Sequence, residues 1–546
     1  MSIPTPIIDN LKFILLEVSQ QVEETRECLD CGGDPERLAA IISRDEYIDS
    51  LKVYVENKCF ALIFSNSSVK VQSDADLVRA INTITGNLER IADHSVNIAK
   101  QIPYFKDKEF IKDYDYEHFF EIITLNLKRV SRALFEQDLH LARKICTSES
   151  KLDRAYKRAF DKILKELTKG KQVENLITTI FVLRYLERIG DCLLNIGEAI
   201  IFSVIGEKLK LSQFEFLEET LAEVDDLKIE EINFEGVWGT RSGCRIGLIQ
   251  ATNADGVEKD YVFKEGLKGK IETERDKIKL WNDLKPGITA KVLDFKTKGE
   301  YASILVDFLK GETIQHYLIQ GDTKQLNVSF DALESALHEL WHSTIKPDIH
   351  PLCDSMKQLT NRIKEVLRVH PNYALPEVRI GGQKFDSLET RLHDLQSKFK
   401  DVAAPFAVMT HGDFNLDNVF YDPADQSIRF IDVHRSDFGD YVGDVAVFLV
   451  SQFRLKIFED ETRTRIEDST ARFLSFARAF AAEHQDDTFD VRLALGLIRN
   501  LTTSTRFEFH PELAQGMFHR ALYLMDNLLE LQPGQPYVIP DSIFVY

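Results

Sequence analysis

From about residue 8 to 225, apolar positions recur at intervals of three and four, and Gly and Pro are sparse. That is the period of amphipathic helices sharing a core. Past residue 230 the period shortens to two. INFEGVW, CRIGLIQAT and DYVFKEG are short alternating runs that predict strands, KIETERDKIKLW reverts to a helical pattern, and KVLDFK and YASILVDFLKGETI predict two more strands. Between the two regimes, LSQFEFLEETLAEVDDLK (211–228) reads as an acidic amphipathic connector helix. Further on, two apolar runs flank the polar loop of VMTHGDFNLDNVFYD, and DPADQ turns the chain back into SIRFI as a hairpin. Beyond about residue 450 the pattern is helical again, as in EDSTARFLSFARAFAAEH. The expected organisation is multidomain, α + α/β: helical bundles over 1–210, a connector over 211–230, a small strand-rich lobe over 231–312 and a mostly helical lobe over 313–546.

The helical half contains a repeat. NLERIADHSVNIAKQI (87–102) matches YLERIGDCLLNIGEAI (185–200), and RDEYIDSLKVYVENKCFALI (44–63) more weakly resembles ESKLDRAYKRAFDKILKEL (149–167). Two tandem antiparallel three-helix bundles account for it. Glu89 and Asp93 are four apart, as are Glu187 and Asp191, so each pair lies on one helix face. Like charges so placed weaken a helix unless a cation compensates. Asn97 and Asn195 extend the faces, and Asp45, Asp49 and Asp153 on partner helices are placed to complete an oxygen-rich shell for a metal. The competing interpretation is a solvated acidic stripe paired locally with Arg90 and Arg188; the doubling of the pattern favours a site.

At these residues the chain resembles the phosphate-uptake regulator family, PhoU, over roughly residues 8–208. The resemblance implies a transition metal (iron, zinc or manganese) on Glu89, Asp93, Glu187 and Asp191. It also implies a role in phosphate homeostasis, with a phosphate transporter or sensor as partner. His94 fits the family motif, whereas the second copy has Cys192 at that position.

In the strand-rich lobe, GVWGTRSG (236–243) is either an ordinary hairpin turn or a glycine-rich loop over phosphates, with Gly239, Ser242 and Gly243 as candidates. Lys264, in YVFKEG, is placed on a strand to meet ATP phosphates, and Glu274 on the next helix is placed to orient it. Asp307–Leu309 is the candidate segment for adenine contact. In THGDFNLDN, Asp413 precedes Asn418 by five, the base-to-asparagine spacing of kinase catalytic loops. The chemistry needs a carboxylate at the acceptor hydroxyl and an amide oxygen on magnesium. Asp432, after SIRFI, supplies the second magnesium ligand.

The stretch resembles the aminoglycoside phosphotransferase and choline kinase-like family across about residues 232–530. His411, Gly412, Asp413 and Asn418 match its loop; Ile431, Asp432, Gly439, Asp440 and Asp444 match its second motif; and Leu340-Trp341-His342 lies near its helix ending in Leu-His. The resemblance implies a bilobal protein-kinase-like phosphotransferase fold using ATP and Mg2+ on a small-molecule hydroxyl acceptor. Asp413 would take the proton, while Asp440 and Asp444 would be structural. His411 is read as a loop residue, and His434 as a surface histidine in preference to one that touches substrate; Glu508 and Glu512 are candidates for recognising a cationic acceptor. The alternative class is a non-catalytic nucleotide-binding adaptor or regulator of phosphate uptake.

Charge and composition narrow the picture. A formal net charge of -20 disfavours nucleic acid as a partner. No apolar run is long enough to span a bilayer, and the N-terminus lacks a secretory pattern, so an integral membrane protein is not expected and a cytoplasmic one is. The 7 cysteines are scattered, as suits a reducing compartment; Cys28 and Cys31 have CxxC spacing, but no second pair follows to complete a zinc site. A homodimer is among the assemblies expected.

Overall fold

The computed structural model describes residues 5–64, 72–206, 210–221, 232–237, 244–252 and 258–545. The chain forms two compact units, Met1–Phe263 and Lys264–Tyr546.

The first unit opens with α1 (Thr5–Asp30), α2 (Pro35–Phe64) and α3 (Gln72–Gln101), then α4 (Tyr116–Phe135), α5 (Leu139–Cys146), α6 (Ser148–Leu167) and α7 (Val173–Ile205). On α3, Leu77, Ile81, Ile84, Leu88 and Ile91 are buried, a four-three alternation that keeps one stripe facing the core. The repeat-bearing helices α3 and α7 pack against each other, and Asn195 Nδ2 donates to Asn87 Oδ1 at 3.1 Å across the pair. The second half adds a helix to the expected three-helix plan. At Gln137 the backbone turns left-handed (φ 55°), and the Asp138 side chain accepts from Leu141 N at 2.9 Å to start α5. The insertion explains a difference between the repeats. Gly197 stands where the first copy has Ala99, and a Cβ there would meet Cys146 Sγ at 2.3 Å. Only glycine lets α5 approach α7 that closely. The acidic connector, α8 (Leu211–Leu221), folds back onto this unit: Glu218 pairs with Arg143 at 3.0 Å, and Phe214, Phe216, Leu217 and Leu221 are buried. The rest of the expected connector, 222–230, lies outside the described residues.

β1 (Ile232–Val237) and β2 (Arg245–Thr252) pair antiparallel, with Val237 opposite Ile246. The division between the units falls inside β3 (Glu258–Leu267), followed by α9 (Lys268–Leu284) and the antiparallel pair β4 (Val292–Lys298) and β5 (Tyr301–Asp307). Within the first unit β1 and β2 are hydrogen-bonded neighbours, and within the second β4 and β5 are. Next come β6 (Glu312–Thr313), α10 (Ile314–Gln320), α11 (Thr323–Thr344), α12 (Ser355–Val369), the small hairpin β7 (Val378–Ile380) and β8 (Gln383–Phe385), and α13 (Leu388–Lys398). The expected loop-and-hairpin follows as β9 (Val408–Thr410), β10 (Val419–Asp422), β11 (Ser427–Phe430) and β12 (Asp437–Gly439). The chain closes with α14 (Val442–Phe453), α15 (Asp460–Glu483), α16 (Phe489–Ser504) and α17 (Pro511–Glu530). β10 pairs with β11 and β6, and β9 with β12, all antiparallel. Trp341, Tyr441 and Phe480 form a buried aromatic core, with ring centroids 5.2 Å apart for each pair. Beside it the buried Arg492 guanidinium bridges Asp440 and Asp486, and Tyr441 donates to Asp486 at 2.7 Å. No helix among the described residues is long and apolar enough to cross a membrane.

Candidate active site

Three elements bring three charges together. Lys264 comes from the second half of β3, Glu274 from the second turn of α9 and Asp432 from the residue pair after β11. Lys264 Nζ donates to Glu274 Oε1 at 2.7 Å and also meets Asp432 Oδ1. Lys264 and Glu274 are about 5% exposed, so neither charge is left to water. Burial works against the Lys264 ammonium, but Glu274 and Asp432 more than offset it and hold its pKa above the usual lysine range. Burial likewise raises Asp432, and Lys264 reverses that, leaving the carboxyl below its usual range. For Glu274 burial prevails over Lys264 and the pKa is raised; its Oε2 has no hydrogen-bond partner. Asp432 sits at φ 57°, a left-handed conformation that costs a non-glycine residue about 1 kcal/mol or more, and it aims the carboxylate back at Lys264.

The loop after β9 is fixed by its own polar groups. Asp444, in the first turn of α14, accepts from His411 N at 2.6 Å and Gly412 N at 2.9 Å. His411 Nδ1 faces the Asp413 amide at 3.3 Å, and Nε2 faces the Ile431 carbonyl at 2.9 Å. A carbonyl only accepts and an amide N–H only donates, so the ring is neutral with its proton on Nε2. Burial agrees, pulling the His411 pKa down to about 4. Gly412 has φ 78°, and a Cβ there would meet Arg435 O at 2.5 Å.

Asp413 is a quarter exposed; Asn415 Nδ2 donates to its Oδ1 at 2.8 Å, and Arg435 Nη1 lies 2.9 Å from its Oδ2. Asn418 Nδ2 donates to Asp413 O at 2.8 Å, which leaves the amide oxygen as the free ligand atom. The donor set of Asn418 and Asp432 is all oxygen, which fits a hard divalent cation such as Mg2+.

One residue was misjudged from sequence. His434, expected at the surface, is half-buried on the turn after Asp432, and its pKa is lowered by burial and then by Arg435. One ring nitrogen lies within 4.8 Å of carboxylate oxygens of Glu274 and Asp432. The signal was adjacency: a residue two beyond a strained aspartate shares its turn. Glu508 is buried and taken up by Lys456 at 3.1 Å and by His510 N at 2.7 Å, whereas Glu512 is exposed in the first turn of α17. Gly239, Ser242 and Gly243 lie outside the described residues. Asp307, at the end of β5, accepts from Lys291 N.

In the helical unit, Glu89 pairs with Lys52 at 3.1 Å, Glu187 with Arg184 at 2.8 Å and Asp191 with Arg188 at 2.7 Å. The acids nevertheless crowd as the repeat suggested. Asp45 is raised by burial and then by Asp93 and Asp49; Glu149 by burial and then by Asp153 and Asp191. Among the described residues, no three of their ligand atoms lie within 4.8 Å of one another. Between α3 and α7 a cavity of ≈ 570 Å³ is lined in part by Arg90, His94, Arg184, Arg188 and Asp191.

Comparison with known proteins fits both halves. The PhoU domain family model matches residues 14–102 and 116–200, and the ecdysteroid kinase-like family model matches residues 331–468. Among curated relatives, a phosphate-specific transport system accessory protein PhoU homolog of Clostridium acetobutylicum is 28% identical over 197 residues, covering 35% of this chain and 88% of the relative. The homolog from Caulobacter vibrioides is 30% identical over 175 residues, covering 31% of this chain and 74% of the relative. A solved structure, a thermostable mutant of aminoglycoside phosphotransferase APH(4)-Ia, is 15% identical with a TM-score of 0.36, covering 58% of this chain and all of that one. Through its N-terminal domain the chain belongs to the PhoU family, and its C-terminal part carries a kinase-like domain. Lys264 and Glu274 lie outside the matched kinase-like span and join the site by geometry.

Proposed function

We propose that this protein transfers the γ-phosphoryl group of ATP to a hydroxyl of a small molecule, under the influence of a metal-binding PhoU domain linked to phosphate homeostasis. The observation that carries the reading is the buried contact of Lys264 with both Glu274 and Asp432, beside a loop that holds Asp413 and Asn418 together. Lys264, held by Glu274, binds phosphate oxygens. Asp413 accepts the proton as the acceptor oxygen forms its bond to the γ-phosphorus and the bond to the β,γ-bridging oxygen breaks, releasing ADP. Asn418 and Asp432 would hold Mg2+, which when bound would supply charge neutralisation at the phosphates. Asp444 and His411 keep the loop in place and exchange no proton with substrate. Gly239, Ser242 and Gly243 are assigned to the phosphates, and residues 231–312 and 313–546 to the two lobes.

In the helical half, crowded carboxylates support a metal on Glu89 and Asp93 with Asp45 and Asp49, and on Glu187 and Asp191 with Asp153. Oxygen donors suit iron or manganese better than zinc. The relatives named as accessory proteins of phosphate-specific transport support a transport component as partner, and the setting is cytoplasmic.

ATP consumption across a panel of hydroxyl acceptors tests the reading. Asp413→Asn should lower kcat by about 10³-fold with little change in melting temperature. Acceptor-independent, Asp413-insensitive turnover would overturn it. One observation favours the adaptor alternative: Arg435 already engages Asp413. Nucleotide binding without any turnover, in both the wild type and Arg435→Ala, would establish that alternative.

A further inference from the structure

A cluster of nitrogen and oxygen donors lies on the kinase-like unit, away from the Lys264 site and unused by phosphoryl transfer. His338 and His342 are four apart on α11 and share one face; their rings stack 6.0 Å apart at 7°. Opposite them, α15 ends in Glu483, and His484 is its C-cap. His338 Nε2 lies 2.9 Å from Glu483 Oε2, and the His342 and His484 rings are 5.7 Å apart. One ligand atom each of His342, Glu483 and His484 falls within 4.8 Å of the other two.

We propose that His338, His342, Glu483 and His484 form a binding site for zinc or a similar late first-row divalent cation, which ties α11 to the end of α15.

The chemistry of the donors selects the metal class. Three imidazoles and one carboxylate match the nitrogen-rich, four-coordinate preference of Zn2+ and not the all-oxygen preference of Mg2+ or Ca2+. Bonds of about 2.0–2.1 Å place tetrahedral ligands about 3.3 Å apart. The atoms of His342, Glu483 and His484 therefore need to close in, and His338, which lies outside that grouping, needs to rotate further to join as the fourth ligand; His338, His342 and Glu483 are exposed enough to rotate. His484 is the fixed member. Its ring packs on Phe480 at 4.5 Å and Phe406 at 5.4 Å, and its Nε2 is buried without a hydrogen-bond partner. A buried polar atom without a partner is a cost that a metal bond would remove. The aromatic floor beneath the site, Phe480 and Trp341, leads to Tyr441 and through it to Asp486. A metal here would therefore brace the packing behind Asp440 and Asp444.

The test is equilibrium dialysis of the full chain against zinc, with cobalt substitution as an optical probe. The wild type should hold one more equivalent of zinc than His342→Ala/His484→Ala, and cobalt should give the intense visible bands of a tetrahedral nitrogen-rich site, lost in the double variant. Because His484 is packed, Glu483→Gln and His338→Ala, both at exposed positions, serve as the second pair and should each weaken zinc binding at least tenfold. Zinc should also raise the melting temperature of the wild type but not of the double variant. Equal stoichiometry and spectra in wild type and variants would overturn the proposal, as would no zinc retained at micromolar concentration. All three readouts are independent of turnover, so failure here leaves the phosphotransferase reading untouched.

Discussion

The acidic faces of the helical unit and the charged centre of the kinase-like unit solve opposite problems with the same residue types. In the former, Glu187, Asp191, Arg184 and Arg188 all come from α7, with partners three positions apart; Arg184, Arg188 and Asp191 are substantially open to water, and Glu187 is mostly covered. In the latter, Lys264 and Glu274 come from consecutive elements and Asp432 from 168 residues beyond Lys264, and the ammonium is almost wholly buried. Water screens the first set, so each pair contributes little and can be exchanged for another cation. The second set has lost its water, and each charge depends on its partners. A local charge pattern on a helix is a poor guide to stability and a fair guide to binding, whereas an assembled buried pair constrains both.

Breaking the buried set should have the largest effect on stability. Glu274→Ala leaves Lys264 with only Asp432 and should lower the stability of the kinase-like unit by about 3 kcal/mol, read by chemical denaturation. Retention of wild-type stability would mean that water reaches Lys264 and would erase the contrast.

The loop histidine sharpens the same point through pH. His411 ordinarily titrates near 6.5 and is pulled down to about 4 in the fold. The unfolded chain thus binds the extra proton first as pH falls. The stabilising contribution is full above about pH 6.5 and is lost as pH falls toward 4, amounting to about 2 kcal/mol at pH 5. Stability measured between pH 7 and pH 5 should fall by that much more in the wild type than in His411→Gln; parallel pH profiles would show that the ring is not buried as a neutral group.

The smallest effect belongs to the helical faces. Asp191→Asn removes the exposed pair with Arg188 and should change stability by no more than about 0.5 kcal/mol. A loss of several kcal/mol would place Asp191 with the buried class.

Residues 87–102 and 185–200 show how far the sequence alone could be read. Both segments became helices in the same role because helical period and repetition are local properties of the chain. The strands from INFEGVW to SIRFI, the acidic connector helix and the spacing of Asp413, Asn418 and Asp432 were legible for the same reason. The insertion of α5 was not, since its one trace is Gly197 in place of an alanine, and a missing Cβ has meaning only when a neighbour is known to approach. His434 and His484 were equally opaque: exposure, a neighbour's charge and a ring nitrogen left without a partner are properties of packing. The sequence by itself determined which segments are helix or strand and which residue types stand at reactive spacing. Only the tertiary structure decided that Lys264 would meet Asp432 and that His342 would face His484, because those distances are set by how separate elements share a core.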